Sequence, residues 1–325
     1  MKQKLLSAVA LLLAAVGLMT ACAFVKPEDD RTVMVLEGEK IYYDYFRYVF
    51  LNSKADFDGG DDTYWTAHPE EETALKESVL SVLTKNRAIQ LLAEEHGLSL
   101  TKEQIAEIEE GIRQAKAQYD NDEAFRQSLA EAHMTEYTLY YLQQFTRIWN
   151  DIYAYITNDA NGIIQASDAD IEADVAVNFR RIRYVYLEKD AEHPEASAAR
   201  AEEVYRKATD GEDFNALIET YGEDDTMAGL LKYGYYYTTG MITTDVEEAV
   251  EAIGDNEIAP ILEVSHGYFI IERLPVAGDY LTEHFDDIRA MYKARIFNEM
   301  VDERAKTLKI ELKELYHTLT VATVN

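Results

Sequence analysis

The sequence predicts an α+β protein, mostly helical, with one smaller part built from a sheet and its covering helices. Three observations carry this. Between Glu70 and Ile156 apolar residues recur at three- and four-residue spacing, the period of a helix with one buried face. Between Ile182 and Leu274 two stretches, Ile182–Leu187 and Tyr268–Leu274, alternate as strands do, and helical stretches separate them. After Pro275 a long helical period returns, from Phe285 to Thr307.

Taken in order, Lys2 and Lys4 precede an apolar run, Leu5–Leu18, that is too short to span a bilayer comfortably and has the length of an export signal. The run ends in Met19-Thr20-Ala21-Cys22, which resembles the bacterial lipoprotein signal; that resemblance implies cleavage before Cys22 and lipidation of it. Residues 23–31 read as a polar tether containing Pro27. Val33–Leu36 is a strand, Glu37-Gly38 a turn, and Tyr42–Leu51 a helix rich in Tyr and Phe. Asp56–Trp65 reads as a Gly/Asp-rich loop. A helix over Glu70–His96 carries Leu75, Val79, Val82, Leu83, Ile89, Leu91 and Leu92, with Gly97 just past its end. Thr101 and Gln104 have the spacing of a capping box for a helix to about Tyr119. Asp122–Ala132 and Glu136–Ile156 follow, and Ser167 with Asp170 starts a short helix to Phe179. Within the sheet-bearing part the helices are Ser197–Ala208, Phe214–Tyr221 (capped by Asp213) and Val246–Ile253. Glu257–Pro260 starts an edge strand, where proline is tolerated. A last apolar alternation covers Lys309–Leu319.

Composition narrows the function. Lys and Arg number 31 against 61 Asp and Glu; without residues 1–22, which hold two lysines and no acid, the net charge is about −32. Nucleic-acid binding needs a cationic patch, and none is visible. Cys22 is the only cysteine, so no intrachain disulfide and no cysteine metal cluster can form. Seven histidines (68, 96, 133, 193, 266, 284, 317) are scattered, none in an HExxH pair. There is no P-loop, no dinucleotide fingerprint and no GxSxG. Gly59–Asp62 lacks EF-hand spacing, and the acidic run Glu70–Glu72 reads as a solvated face. No cofactor is implied. Tyr-rich stretches such as Tyr235–Tyr237 suit an extended peptide, since rigid aromatic rings lose little entropy on binding.

The order of residues 180–275 is specific. RRIRYVYL is followed by an Ala-rich helix, by a second helix behind GEDF, and by the loop GLLKYGYYYTTGM. A short helix and the closing strand GYFIIERL complete it. This resembles the parvulin-type peptidyl-prolyl isomerase domain. The strand, glycine turn and Phe-bearing helix near residue 33 are similar to the start of SurA- and PrsA-like foldases. The resemblance implies an inserted parvulin-like domain over 167–276, a sheet that mixes strand directions, and a discontinuous helical chaperone domain. The latter would comprise 32–166 and the returning segment 277–325. It also implies clients that are unfolded or extended polypeptides, a place outside the cytoplasm, and attachment to the cell membrane through a lipid on Cys22. A homodimer is left open.

The resemblance further assigns positions. The family places one histidine after an arginine on the first strand, and here Arg183 is followed by Tyr184. Its second histidine lies two residues after the closing-strand glycine; here Gly267 leads to Phe269. The Cys or Asp position falls on Asp224. The proline pocket falls on Tyr233, Ile242 and Val246, with Tyr236 beside them. Both histidines are therefore replaced, the aspartate option is kept, and the pocket stays apolar but reshaped. Prolyl isomerisation has no obligatory nucleophile, because the barrier is rotation about the amide. Three readings follow: an isomerase using Tyr184, Asp224 and Phe269, an inactive parvulin-fold holdase or peptide binder, and a lipoprotein interaction module. His266 reads as a solvated turn residue.

Overall fold

The structure, a computed structural model, describes residues 25–61, 63–158, 160, 162–190, 192–276 and 278–324. Cys22 and the apolar leader lie outside the described residues.

The first hairpin joins β1 (Thr32–Leu36) to β2 (Glu39–Tyr42). Its two turn residues, Glu37 (φ 45°) and Gly38 (φ 83°), are both left-handed. That is what a two-residue turn matching the strand twist demands. Helix α1 (Tyr43–Asp58) runs past the expected end at Leu51 and takes in the first residues of the expected Asp56–Trp65 loop. Lys54 Nζ donates to Asp58 at 2.6 Å one turn on, and Trp65 Nε1 donates to the same carboxylate at 2.7 Å. These bonds satisfy a buried Asp58 and hold the short α2 (Tyr64–Ala67), so this stretch is folded where a loop was expected. A 3₁₀ turn, Pro69–Glu71, leads into α3 (Glu72–Glu95), and Gly97 (φ 71°) follows its end.

Caps set the next boundaries. Thr101 and Gln104 form the expected reciprocal capping box at the start of α4 (Lys102–Lys116). Asn121 caps α5 (Asp122–Glu131), and α6 spans Glu136–Thr157. Ser167 and Asp170 box the start of α7 (Asp168–Asn178). The chain then enters β3 (Phe179–Glu188), α8 (Pro194–Thr209), α9 (Phe214–Tyr221, capped by Asp213) and α10 (Asp225–Ala228). It continues through β4 (Tyr235–Thr238), α11 (Thr244–Glu251), β5 (Leu262–Val264) and β6 (Gly267–Leu274). Helices α12 (Gly278–Glu283) and α13 (Phe285–Lys306), strand β7 (Ile310–Leu312) and α14 (Glu314–Thr318) close the chain.

Two expectations shift here. Of Glu257–Pro260, Ile258 alone bridges to Glu272 and the strand proper begins at Leu262, beyond Pro260, which has no N–H to give. The alternation expected to Leu319 is a strand only through Leu312, after which Lys313 turns the chain into α14.

The chain divides into two units. Of the described residues, the first comprises 25–52, 99–148 and 309–324. Its sheet has the order β2-β1-β7, so the C-terminal strand pairs with the first one, Met34 opposite Leu312. Val33, Met34, Leu36, Ile41, Tyr45 and Phe46 are buried there. Asp44, also buried, accepts the amides of Glu28 (2.7 Å) and Asp29 (3.1 Å) and the hydroxyl of Thr135 (3.3 Å). That explains how a carboxylate stays inside: every bond it accepts repays lost water.

The second unit comprises residues 53–98 and 149–308. Helices α3 and α13 pack together, and α13 also meets α7. There Arg295, buried, pairs with Asp174 and with Glu299 (2.5 Å), and Lys293 donates to the Thr157 carbonyl at 2.6 Å. The four-stranded sheet has the order β4-β3-β6-β5. Every neighbouring pair is antiparallel, where a mixture of directions was expected. Strands β4 and β6 do run the same way, but β3 lies between them, so no parallel ladder forms. Val185, Leu187, Tyr268 and Ile270 face α8 and α9 and form one core. Ile182, Tyr237 and Ile271 face the other way, toward Val250 of α11.

Candidate functional site

The period of two along β3 decides which side chains meet. Tyr184 stands opposite Ile271 and Tyr186 opposite Phe269, all on the face away from α8. The Tyr184 and Phe269 rings meet edge to face, centroids 5.3 Å apart at 72°, and Tyr186 lies 4.8 Å from Phe269 on its other side. Gly267 makes this approach possible, since a Cβ there would overlap the Tyr186 ring and the Leu187 carbonyl.

Asp224 reaches the same place because it is the N-cap of α10. One carboxylate oxygen accepts the Thr226 amide at 2.8 Å, and the other accepts the Tyr184 hydroxyl. Burial holds the Tyr184 hydroxyl well above the usual phenol range, and donation to Asp224 raises it further. Burial alone would push the Asp224 carboxyl up. The bonds from Tyr184 and Thr226 outweigh it and hold the group below its ordinary value. At neutral pH the pair is thus a neutral phenol donating to a carboxylate.

Ile242 and Val246, half-buried, join Tyr184 and Phe269 in one apolar cluster with Tyr235 and Leu262. Next to it an open cleft of about 310 Å³ is lined by Tyr186, Glu223, Asp224, Asp225, His266 and Phe269. The structure therefore brings together Tyr184, Asp224, Phe269, Ile242 and Val246. Tyr233 and Tyr236 are elsewhere. Tyr236 pairs with Arg181, so its ring leaves the sheet on the opposite face from Tyr235 and Tyr237. It is buried and stacked on Tyr280, centroids 3.9 Å apart and 7° from parallel. Tyr233 lies edge-on to Tyr280 and His284 and donates its hydroxyl to Glu283.

Sequence reasoning missed Tyr186, Glu223 and Asp225. A signal existed for Tyr186, which sits two residues from Tyr184 and must share its face. His266 is exposed, with Nδ1 3.1 Å from Ser265 Oγ; it lines the cleft, and its carbonyl accepts the Tyr186 hydroxyl at 3.0 Å. Among the described residues one group, His68, Glu70 and Glu71, brings potential metal-ligand atoms within 4.8 Å of one another. Tyr64 already donates to Glu71 there, and none of the three lines the cleft.

Residues 164–274 match the family model of the PPIC-type PPIASE domain. This part of the chain is a parvulin-type domain. The chain as a whole is similar to the foldase protein PrsA of Caldanaerobacter subterraneus subsp. tengcongensis, 21% identical over 331 residues, covering 97% of this chain and 94% of that one. Among solved structures it is similar to foldase protein PrsA from Streptococcus pneumoniae, at 14% identity and a TM-score of 0.36, over 76% of this chain and 90% of that one. A SurA-like chaperone of Campylobacter jejuni matches at 12% identity and a TM-score of 0.34, over 87% and 99% of the two chains.

Proposed function

We propose that this chain acts outside the cytoplasm on unfolded polypeptide, and that its parvulin-type domain turns X–Pro bonds on the Tyr184–Phe269 face. The observation that carries the reading is the Tyr184–Asp224 pair, set beside Phe269 at an open cleft. Rotation about X–Pro passes through a twisted amide over a barrier of ~18–20 kcal/mol. A catalyst need only bind that twisted form better than the planar ones. Ile242, Val246 and Phe269 offer an apolar seat for the proline ring. Tyr184, kept protonated beside Asp224, offers a hydroxyl whose one proton would swing from Asp224 to the amide as it twists. Phe269 supplies surface and no proton.

A protease-coupled proline-peptide assay tests this. Acceleration over the uncatalysed rate is expected, falling about tenfold or more in Asp224→Ala. No acceleration with protein in large excess ends the isomerase reading. A second reading, a holdase with no turnover, draws on the Tyr184 hydroxyl being already committed to Asp224 and on the missing donor at Phe269. It predicts suppressed aggregation of an unfolded client that survives Asp224→Ala.

We also propose the layout and address. Residues 32–166 with 277–325 would form the chaperone part, around an inserted 167–276. Cys22 would carry the lipid that holds the protein at the membrane. No helix of the described residues is long and apolar enough to cross a membrane. Detergent phase partition of the native protein and of Cys22→Ser tests the anchor: the variant is expected to move to the aqueous phase.

A further inference from the structure

The cleft beside Phe269 joins aromatic walls to an acidic rim. Two of its walls are aromatic, Tyr186 and Phe269, and its rim carries Glu223, Asp224 and Asp225. Glu223 is held in place: it accepts the Glu188 amide at 2.6 Å and pairs with Arg200. Asp224 is fixed by Tyr184 and Thr226. Asp225, exposed, follows at the first residue of α10 and adds a third carboxylate. A lysine or arginine laid along the two rings would meet carboxylates at its tip, combining cation–π contact with charge pairing. An acidic side chain would meet like charge.

We infer that this cleft selects clients with a basic residue flanking the proline. The inference rests on the reading that the Tyr184–Phe269 face receives the proline, because Phe269 and Asp224 belong to both the face and the cleft. It adds what that reading lacks, a chemical class of sequence. Discrimination here comes as much from repulsion of acidic neighbours as from attraction of basic ones.

The test uses the whole protein and peptides Ala-Xaa-Pro-Phe with Xaa Lys, Ala or Glu. Both kcat/KM in the coupled assay and Kd by anisotropy of dye-labelled peptides are read. The Lys peptide is expected to exceed the Glu peptide by about five- to tenfold at low salt, with the gap shrinking as salt screens the rim. Asp225→Lys should bring the ratio below twofold or invert it. Asp225→Asn, a gentler change, should give an intermediate ratio. A native Lys/Glu ratio within twofold, or a ratio that neither variant moves, overturns the inference. If no peptide is turned over, the isomerase reading fails and the Kd ratio alone decides this one. If no peptide binds, this inference fails as well.

Discussion

Tyr184 donates its hydroxyl to Asp224 across forty residues of chain, joining the central strand of the sheet to the cap of a four-residue helix. The bond fixes a polar pair beside the rings of Phe269 and Tyr186. Tyr184→Phe should therefore do two things. Stability should fall by roughly 1.5–3 kcal/mol, the scale of a bond to a charged acceptor, read from the urea midpoint. Turnover, where present, should fall about tenfold with little change in peptide affinity, because the hydroxyl is asked to act on the twisted amide only.

The same pair sets a pH window. The Asp224 carboxyl is held below its ordinary value, so its contribution is present above the unfolded carboxylate value near 4 and is lost as pH falls through the folded one. The Tyr184 hydroxyl is held above its ordinary value. Its contribution is complete below the unfolded value near 10 and is lost as pH rises through the folded one. The difference in stability between the native protein and Tyr184→Phe, read from urea midpoints, should thus be flat from about pH 5 to 9. A step near 7 would contradict the assignment.

Tyr64 gives an independent optical check. Its hydrogen bond to Glu71, with burial adding to it, pushes its hydroxyl up to about 12. Titration followed at the tyrosinate absorbance should show a late-titrating tyrosine that Tyr64→Phe removes. Glu71→Gln should bring it back toward the ordinary range near 10.

Gly267→Ala tests the packing that creates the cleft. The added methyl would have to displace the Tyr186 ring, since the Leu187 carbonyl cannot move. A loss of about 1–3 kcal/mol is expected from overpacking. Peptide affinity should fall together with it, because Tyr186 is a wall of the cleft. Destabilisation with unchanged affinity would remove Tyr186 from the binding surface.

Asp174→Ala should be among the costlier substitutions in the second unit. It strips the nearly buried Arg295 of one of its two carboxylates. Breaking such a pair costs about 3 kcal/mol, because the charge left behind keeps its desolvation penalty. Replacing both residues, Asp174→Leu with Arg295→Met, should cost less than the single change. A double-mutant cycle in urea measures the difference.

Much of this fold was legible from local rules. Thr101 with Gln104, Ser167 with Asp170, and Asp213 mark helix starts because each supplies the acceptor that the first free amides need. What resisted reading depends on partners distant in sequence. Nothing near Asp58 announces that Trp65 will bond to it and extend the helix across an apparent loop. Tyr233 and Tyr236 were expected in the pocket because Tyr233 precedes the glycine of the resemblance and Tyr236 stands beside it. Alternation alone separates Tyr236 from Tyr235 and Tyr237, yet which set faces the site is settled by the register with Ile182 and by Tyr280, forty-odd residues away. The Tyr184, Asp224 and Phe269 trio was placed by resemblance, and α10 is too short to be read from periodicity.

The bonds that Asp44 accepts from Glu28 and Asp29 also bear on where this protein does its work. They moor the chain to the folded body only six residues beyond Cys22. Six residues drawn straight reach about 20 Å. Were Cys22 to carry the lipid proposed above, that reach would cap how far the Asp44 mooring point could stand from the bilayer surface.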